Sequence, residues 1–319
     1  MIPLKKHISD TSQMIYGCMH LGGGWNSNPI SIEDEKLTQQ IIETCIDCGI
    51  NVIDLADIYT FGKAESVVGK VLKKSPQLAE KIYIQSKVGI KLKPQHSISQ
   101  YDFSPEYISS AIDASLSRLQ VEKLDVLFLH RPDPLVEVTA LSNTLNQYWQ
   151  EDRFGYLAVS NMHAGQIAML EQHLDMPIIA NQLEMSLLHH GFVEDGITVN
   201  MAINSQSGFP RGTLEYCMQK GIQLQAWGAA ARGQFTDTQH ADGNIAKTAN
   251  LLLELAEKYQ VSAGALVIAW LMRHPANIQP VIGSLKPQRI RDLTQAKTVS
   301  MSRDDWYQIL QTRRGADVP

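Results

Sequence analysis

Two hydrophobic rhythms take turns along this chain. Short apolar runs at residues 14–17, 52–54, 82–87, 124–129, 156–160, 178–182, 223–227 and 280–282 read as strands buried on both faces. Between them apolar residues recur every three or four positions, which predicts helices at 34–48, 65–73, from 104 through Leu119, and at 141–149, 167–174, 245–259 and 263–273. Gly49 follows the first helix as a C-cap residue. Ser104-Pro105-Glu106 opens another, with a serine to cap, a proline at the first helical position and an acid at the positive end. The face of that helix is Ile108, Ile112, Ser115 and Leu119. Repeated strand–helix units predict a (β/α)8 TIM barrel that occupies residues 1–319 as a single domain. An open doubly wound sheet would want Gly-x-Gly-x-x-Gly after an early strand, and Gly22-Gly23-Gly24-Trp25 lacks that spacing.

Polar residues at the ends of the runs carry the candidate chemistry. Asp54 ends the second run and Tyr59 follows five residues later; Lys87 ends the third run, and His130 directly follows the fourth. In such a barrel, the carboxyl ends of the strands face the mouth where catalysis is done. A phenol, with a pKa of about 10, is a poor acid near neutrality. An ammonium beside it favours the phenolate and is expected to lower that pKa, and a carboxylate is needed to hold a partly buried ammonium. Asp54, Lys87 and Tyr59 supply these three parts, and His130 is placed to orient a substrate oxygen.

Composition narrows the class. At 319 residues and 44% hydrophobic, the chain fits one barrel with a large core, and its net charge of −5 offers no footprint for nucleic acid. The N-terminal residues lack the apolar stretch of a signal peptide, and the longest apolar run, 265–272, is too short to cross a bilayer. The expectation is a cytoplasmic protein whose partner is a small molecule rather than nucleic acid or membrane. Cys45 and Cys48 form a C-x-x-C, but with Leu37 and Ile41 they lie on one apolar helical stripe at the helix's end, where the dipole does not activate a thiol.

With these residues in place, the sequence resembles the aldo-keto reductase superfamily over essentially its whole length. The stretch from Gly49 to Tyr59 is similar to that family's Asp…Tyr signature, and Lys87 and His130 fall at its other two catalytic positions. Residues 129–134 and the ending Ala316-Asp317-Val318-Pro319 look most like a bacterial branch of oxidoreductases of the YdhF type.

The resemblance implies NADPH-dependent reduction of an aldehyde or ketone, with NADH as the alternative cofactor, Tyr59 as general acid and no metal. It further implies that Ser160, Asn161 and Gln182 hold the nicotinamide carboxamide and that Trp227 stands where a tyrosine usually stacks on the ring. Residues 228–233 depart from the family's Ser-Pro-Leu-Gly pattern. Gly283, Ser284, Lys286 and Arg289 match the adenosine-phosphate segment, with Ser284 and Arg289 at the 2′-phosphate contacts. Asp292 takes the adenine-contacting acidic position, followed by Leu293 where asparagine is common. His20 and Trp25, past the first strand, are substrate-pocket candidates. Two other classes remain to be weighed: an NADPH-binding regulatory subunit, and a metal-dependent hydrolase built on Asp54 and His130, which Lys87 would oppose by repelling a cation.

Residues 188–210 form a long insert after the sixth strand, and loops of this length are commonly lids. The expectation is a cover for the mouth, with Phe192, Val199, Met201, Ile203 and Phe209 as its apolar contacts and Gly191 and Gly208 as hinges. Residues 91–103 are a shorter segment of the same kind.

Overall fold

A computed structural model describes residues 2–93, 95–201, 208–236 and 243–319. Eight parallel strands close into a barrel, each paired with its neighbours in chain order and the last with the first. They are β1 (Ile15–Gly17), β2 (Val52–Asp54), β3 (Tyr83–Val88), β4 (Leu124–Leu129), β5 (Phe154–Ser160), β6 (Ile178–Glu184), β7 (Gln223–Trp227) and β8 (Gln279–Ile282). Each lies within two residues of the run that predicts it.

The surrounding helices are α1 (Ile32–Asp47), α2 (Lys63–Lys74), α3 (Pro105–Leu119), α4 (Val138–Gln150), α5 (Ala164–Glu171), α6 (Gly191–Ile197), α7 (Thr213–Lys220), α8 (Gly243–Tyr259), α9 (Ala263–Met272), α10 (Pro287–Thr294) and α11 (Arg303–Arg314). The start of α1 lies ahead of its apolar pattern because Ser31 and Asp34 form a reciprocal capping box. Gly49, at φ +66°, takes the left-handed turn that ends the helix. Ser104 occupies the cap position of α3, yet its side chain makes no cap bond; its own N–H donates to Asp102 Oδ1 at 2.9 Å instead. The predicted face of α3 is fully buried.

Apolar side chains lie mainly between strands and helices. A smaller cluster gathers Val126, Phe128, Ala158, Ile179 and Ala180 beneath Leu4 and Ile8 of the N-terminal segment. Cys45 is buried and free, and burial pushes its thiol far above the ordinary range, so the C-x-x-C is packing. Among the described residues, no helix is long and apolar enough to cross a membrane.

The insert is not a bare loop. Its first half forms α6, and Phe192 is buried edge-on against Trp270, Phe209 and His274. Arg314 Nε donates to Glu194 Oε1 at 2.6 Å, and Arg313 Nε donates to Leu187 O at 3.0 Å. Phe192 therefore anchors the insert to α9, instead of offering a face to the mouth. Ile203 lies outside the described residues. The other long segment builds an antiparallel pair, Ile90–Lys91 with Gln100–Tyr101, pinned by a Lys91–Asp102 ion pair.

Candidate active site

Side chains two apart on a strand share a face. On β3 this sends both Gln85 and Lys87 inward, next to β2, where Asp54 is paired with Gln85. Lys87 Nζ donates to Asp54 Oδ1 at 2.7 Å and Oδ2 at 2.6 Å, to Leu55 O at 2.9 Å, and reaches Tyr59 Oη at 3.1 Å. Lys87 is completely buried. Burial alone would push its pKa down, yet Asp54 and Tyr59 together hold it above the ordinary lysine value. The ammonium is thus a fixed charge at the floor of the mouth.

The Tyr59 phenol is raised by burial, which outweighs the opposing pull of the Lys87 ammonium. This corrects the expectation from sequence: the ammonium acts in the expected sense, but desolvation of a phenolate is the larger effect. The backbone beyond Tyr59 is unusual. Thr60, Phe61 and Gly62 are all left-handed, with φ of +47°, +58° and +84°. Such residues are strained when not glycine and persist only where the surroundings hold them. Thr60 Oγ1 donates to Leu21 O at 2.9 Å, which ties this turn to the loop after β1.

His130 lies just past β4, its ring 6.0 Å from that of Tyr59 and edge-on to it. Burial first, then the charges of Lys87 and Arg131, hold its pKa well below the ordinary value, so the imidazole is neutral at pH 7. Its buried Nδ1 has no hydrogen-bond partner. A neutral imidazole beside a phenol can donate one N–H to an incoming oxygen.

Asn161, left-handed at φ +59°, joins this cluster to the next strands. Its Nδ2 donates to His130 O at 3.2 Å and to Ser160 Oγ at 2.9 Å, and its Oδ1 accepts from Trp227 Nε1 at 3.1 Å. Ser160 Oγ in turn donates to Gln182 O at 2.8 Å. Gln182 Nε2 donates to Asp54 Oδ1 and to Gln225 Oε1, both at 3.0 Å, while its Oε1 accepts no bond among the described residues. These groups retain acceptor sites on Gln182 Oε1, Asn161 Oδ1 and Ser160 Oγ, which a primary amide can use. These free acceptors fit the NH2 of a nicotinamide carboxamide.

The third group lies at β8 and α10. Gly283 leaves little room for a side chain, since a Cβ there would meet Gly17 O at 3.1 Å. Ser284 O accepts from the buried Tyr16 hydroxyl at 3.0 Å, and Ser284 Oγ accepts from Lys286 N at 3.1 Å. Lys286, the N-cap residue, and Arg289, in the first turn of α10, are both exposed. Arg289 lies over Gly233, where an added Cβ would approach its guanidinium to 2.6 Å, so the 228–233 loop and α10 meet at this arginine. Asp292 accepts from Gln288 Nε2 at 2.8 Å, and Leu293 is buried in the core. His20 is exposed, and exposed Trp25 packs edge-on to Phe61 at 5.4 Å.

Tyr59, Asp54, Lys87 and His130 are thus one cluster, and Ser160, Asn161, Gln182 and Trp227 are bonded into it. Sequence reasoning missed Thr60, Gln85, Gln225 and Gln279. A glutamine inside a buried strand is costly unless bonded, and that was the available signal for three of them; nothing marked Thr60.

Residues 13–313 match the sequence profile of the aldo/keto reductase family. The chain is similar to a 6-dehydroglucose reductase of Agrobacterium fabrum, with 29% identity over 97% of this chain and 96% of that one. It is 30% identical to oxidoreductase YdhF of Escherichia coli, over 87% of this chain and 88% of that one. Among solved structures, a glycerol dehydrogenase from Gluconobacter oxydans superposes with a TM-score of 0.78 at 21% identity, covering 97% and 94% of the two chains, and shows the same fold.

Proposed function

This chain belongs to the aldo/keto reductase family and is an oxidoreductase of that kind, and from that premise we propose that it reduces an aldehyde or ketone to an alcohol with NADPH. The observation that carries the reading is the Asp54–Lys87–Tyr59 relay, closed at hydrogen-bond distances beside a neutral His130.

NADPH supplies the hydride when bound. The substrate oxygen accepts from the Tyr59 hydroxyl and from an imidazole N–H of His130, which orients the carbonyl. As the oxygen gains negative charge, the proton leaves Tyr59 Oη, and the Lys87 ammonium 3.1 Å away stabilises the phenolate that forms. Because burial holds the phenol above its ordinary value, Tyr59 keeps its proton at neutral pH until that charge develops. Asp54 neutralises Lys87 throughout, which keeps a bare cation out of the dry floor.

Ser160, Asn161 and Gln182 would hold the carboxamide, and Trp227 would cover the ring. Support for NADPH over NADH is the exposed Arg289 in the first turn of α10, with exposed Lys286 at its N-cap, since a planar guanidinium fork suits a phosphate. NADH is the second cofactor to test, because Arg289 also meets Gly233 and so has a second use besides a 2′-phosphate.

Titration of cofactor fluorescence with NADPH and NADH, followed by turnover on a carbonyl panel that includes sugar aldehydes, tests the reading. Tight NADPH binding with no turnover on any carbonyl would favour a regulatory subunit instead.

A further inference from the structure

The interior of the barrel is not apolar below the relay. Gln85 and Gln225 stand on β3 and β7, four strands apart in a ring of eight and so across the axis from one another. Their amides pair reciprocally: Gln85 Nε2 donates to Gln225 Oε1 at 3.0 Å, and Gln225 Nε2 donates to Gln85 Oε1 at 3.1 Å. Gln225 Oε1 also accepts from Gln182 Nε2 at 3.0 Å. The remaining protons of both donors go to one atom, Asp54 Oδ1, at 2.6 Å from Gln85 and 3.0 Å from Gln182. On the other side Gln225 Nε2 donates to Gln279 Oε1 at 3.3 Å, and Gln279 Nε2 donates to Ser12 O at 2.6 Å. All four glutamines are at most 2% exposed, so water does not compete for these bonds.

We propose that Gln225 is a positioning residue for the reaction, holding Asp54 and Gln182 in register from beneath although it touches neither substrate nor cofactor. The inference rests on the relay and carboxamide roles proposed above. Asp54 Oδ1 accepts from Lys87, Gln85 and Gln182, so the direction of its charge toward Lys87 depends on where both amides are held. Each amide spends one proton on Asp54 and the other on Gln225. Gln225 fixes the rotation of each amide plane, and with it which edge of Gln182 faces the nicotinamide side. Removing Gln225 frees both donors at once, at the acid relay and at the carboxamide wall.

The electrostatic consequence follows from the groups around the carboxylate. Lys87, Tyr59 and Cys18 face Asp54, and His130 faces Tyr59. If the amides let go of Oδ1, less of the Asp54 charge is balanced by N–H dipoles and more of it is felt by Lys87 and Tyr59. A more negative field makes the phenol a weaker acid. The high-pH limb of carbonyl reduction, where Tyr59 loses its proton, then moves to higher pH while kcat at neutrality falls.

The test compares Gln225→Met with Gln223→Met, which removes a buried amide from the same strand but one bonded to Leu224 O and Asn277 O rather than to the relay. A double variant, Gln85→Met with Gln225→Met, removes both members of the amide pair, so neither of those two is left unpaired. Holoenzyme kcat, KM, the pH profile, NADPH affinity and thermal midpoint are measured for each, with Tyr59→Phe in parallel. The expected result for Gln225→Met is a roughly tenfold to hundredfold loss of kcat, the scale of a misplaced catalytic group, with an upward shift of the high-pH limb. Gln223→Met is expected to lose stability and keep the wild-type limb. The double variant is expected to regain thermal stability over Gln225→Met without regaining kcat, and it carries the test if the single variant fails to fold. Recovery of kcat along with stability, or a wild-type limb in both Gln225 variants, would overturn the positioning role. Turnover retained by Tyr59→Phe would instead remove the proposed acid, and the inference with it.

Discussion

Trp227 donates its indole N–H to Asn161 Oδ1 at 3.1 Å, and the same asparagine holds the carbonyl of His130. One asparagine therefore links the ends of three strands, with the aromatic face proposed for the nicotinamide at one end and the oxygen-orienting histidine at the other. Trp227→Phe keeps an aromatic face and removes the donor. NADPH affinity should fall about threefold to tenfold, the equivalent of one hydrogen bond of about 1 kcal/mol. Fluorescence titration measures it, and an unchanged Kd would mean that the indole N–H does not hold Asn161 in the bound state.

Tyr59→Phe should lower kcat for carbonyl reduction by about 10²–10⁴ while NADPH still binds, since the phenol is the proton donor and not a cofactor contact. Retention of more than about a tenth of kcat would contradict the assignment of the general acid.

Arg289→Ala should weaken NADPH by about tenfold or more and NADH far less, because a charge-assisted contact to the extra phosphate is lost. Equal losses for the two cofactors would assign Arg289 to holding the 228–233 loop through Gly233.

The barrel and the relay were legible for separate reasons. Strands buried on both faces give unbroken apolar runs, and helices of the outer layer repeat every three or four residues. Polar residues such as Asp54 and Lys87 at the ends of such runs have few structural uses. The cross-barrel pairing of Gln85 with Gln225 was not legible, because it joins residues 140 positions apart and depends on barrel closure. Ser104 shows a different limit. It has the residue type and position of a cap, but the neighbouring Asp102 takes the local bonding. In the insert, Phe192 could be recognised as apolar, but the partner that decides its role, Trp270, lies on a distant helix.

Phe192→Ala should destabilise the fold by about 3–5 kcal/mol, the cost of deleting a buried phenylalanine, and leave the ranking of carbonyl substrates unchanged. Urea denaturation and the substrate panel check the two halves. A changed ranking at wild-type stability would restore a covering role for the insert.

His274, edge-on to Phe192, has its pKa lowered to about 4 by burial, against an ordinary value of 6.5. The unfolded chain takes up this proton first as pH falls, so the stabilisation is complete above about pH 6.5 and is lost progressively toward pH 4. Between pH 7 and pH 5 the wild type should lose about 2 kcal/mol more than His274→Gln in urea denaturation. Parallel curves for the two proteins would show that His274 does not report on folding.

The amide pair at the centre of the barrel also constrains how the molecule can come apart. Gln85 belongs to the first four strands and Gln225 to the last four, as do Asp54 and Gln182 respectively. A half-barrel ending after β4 would keep Lys87, Gln85 and Asp54 together but strip Asp54 Oδ1 of its Gln182 donor and the Gln85 amide of both its bonds to Gln225. The C-terminal half would expose Gln182 and Gln225 in the same way. One core cluster also runs through both halves, so the two should melt as one cooperative unit.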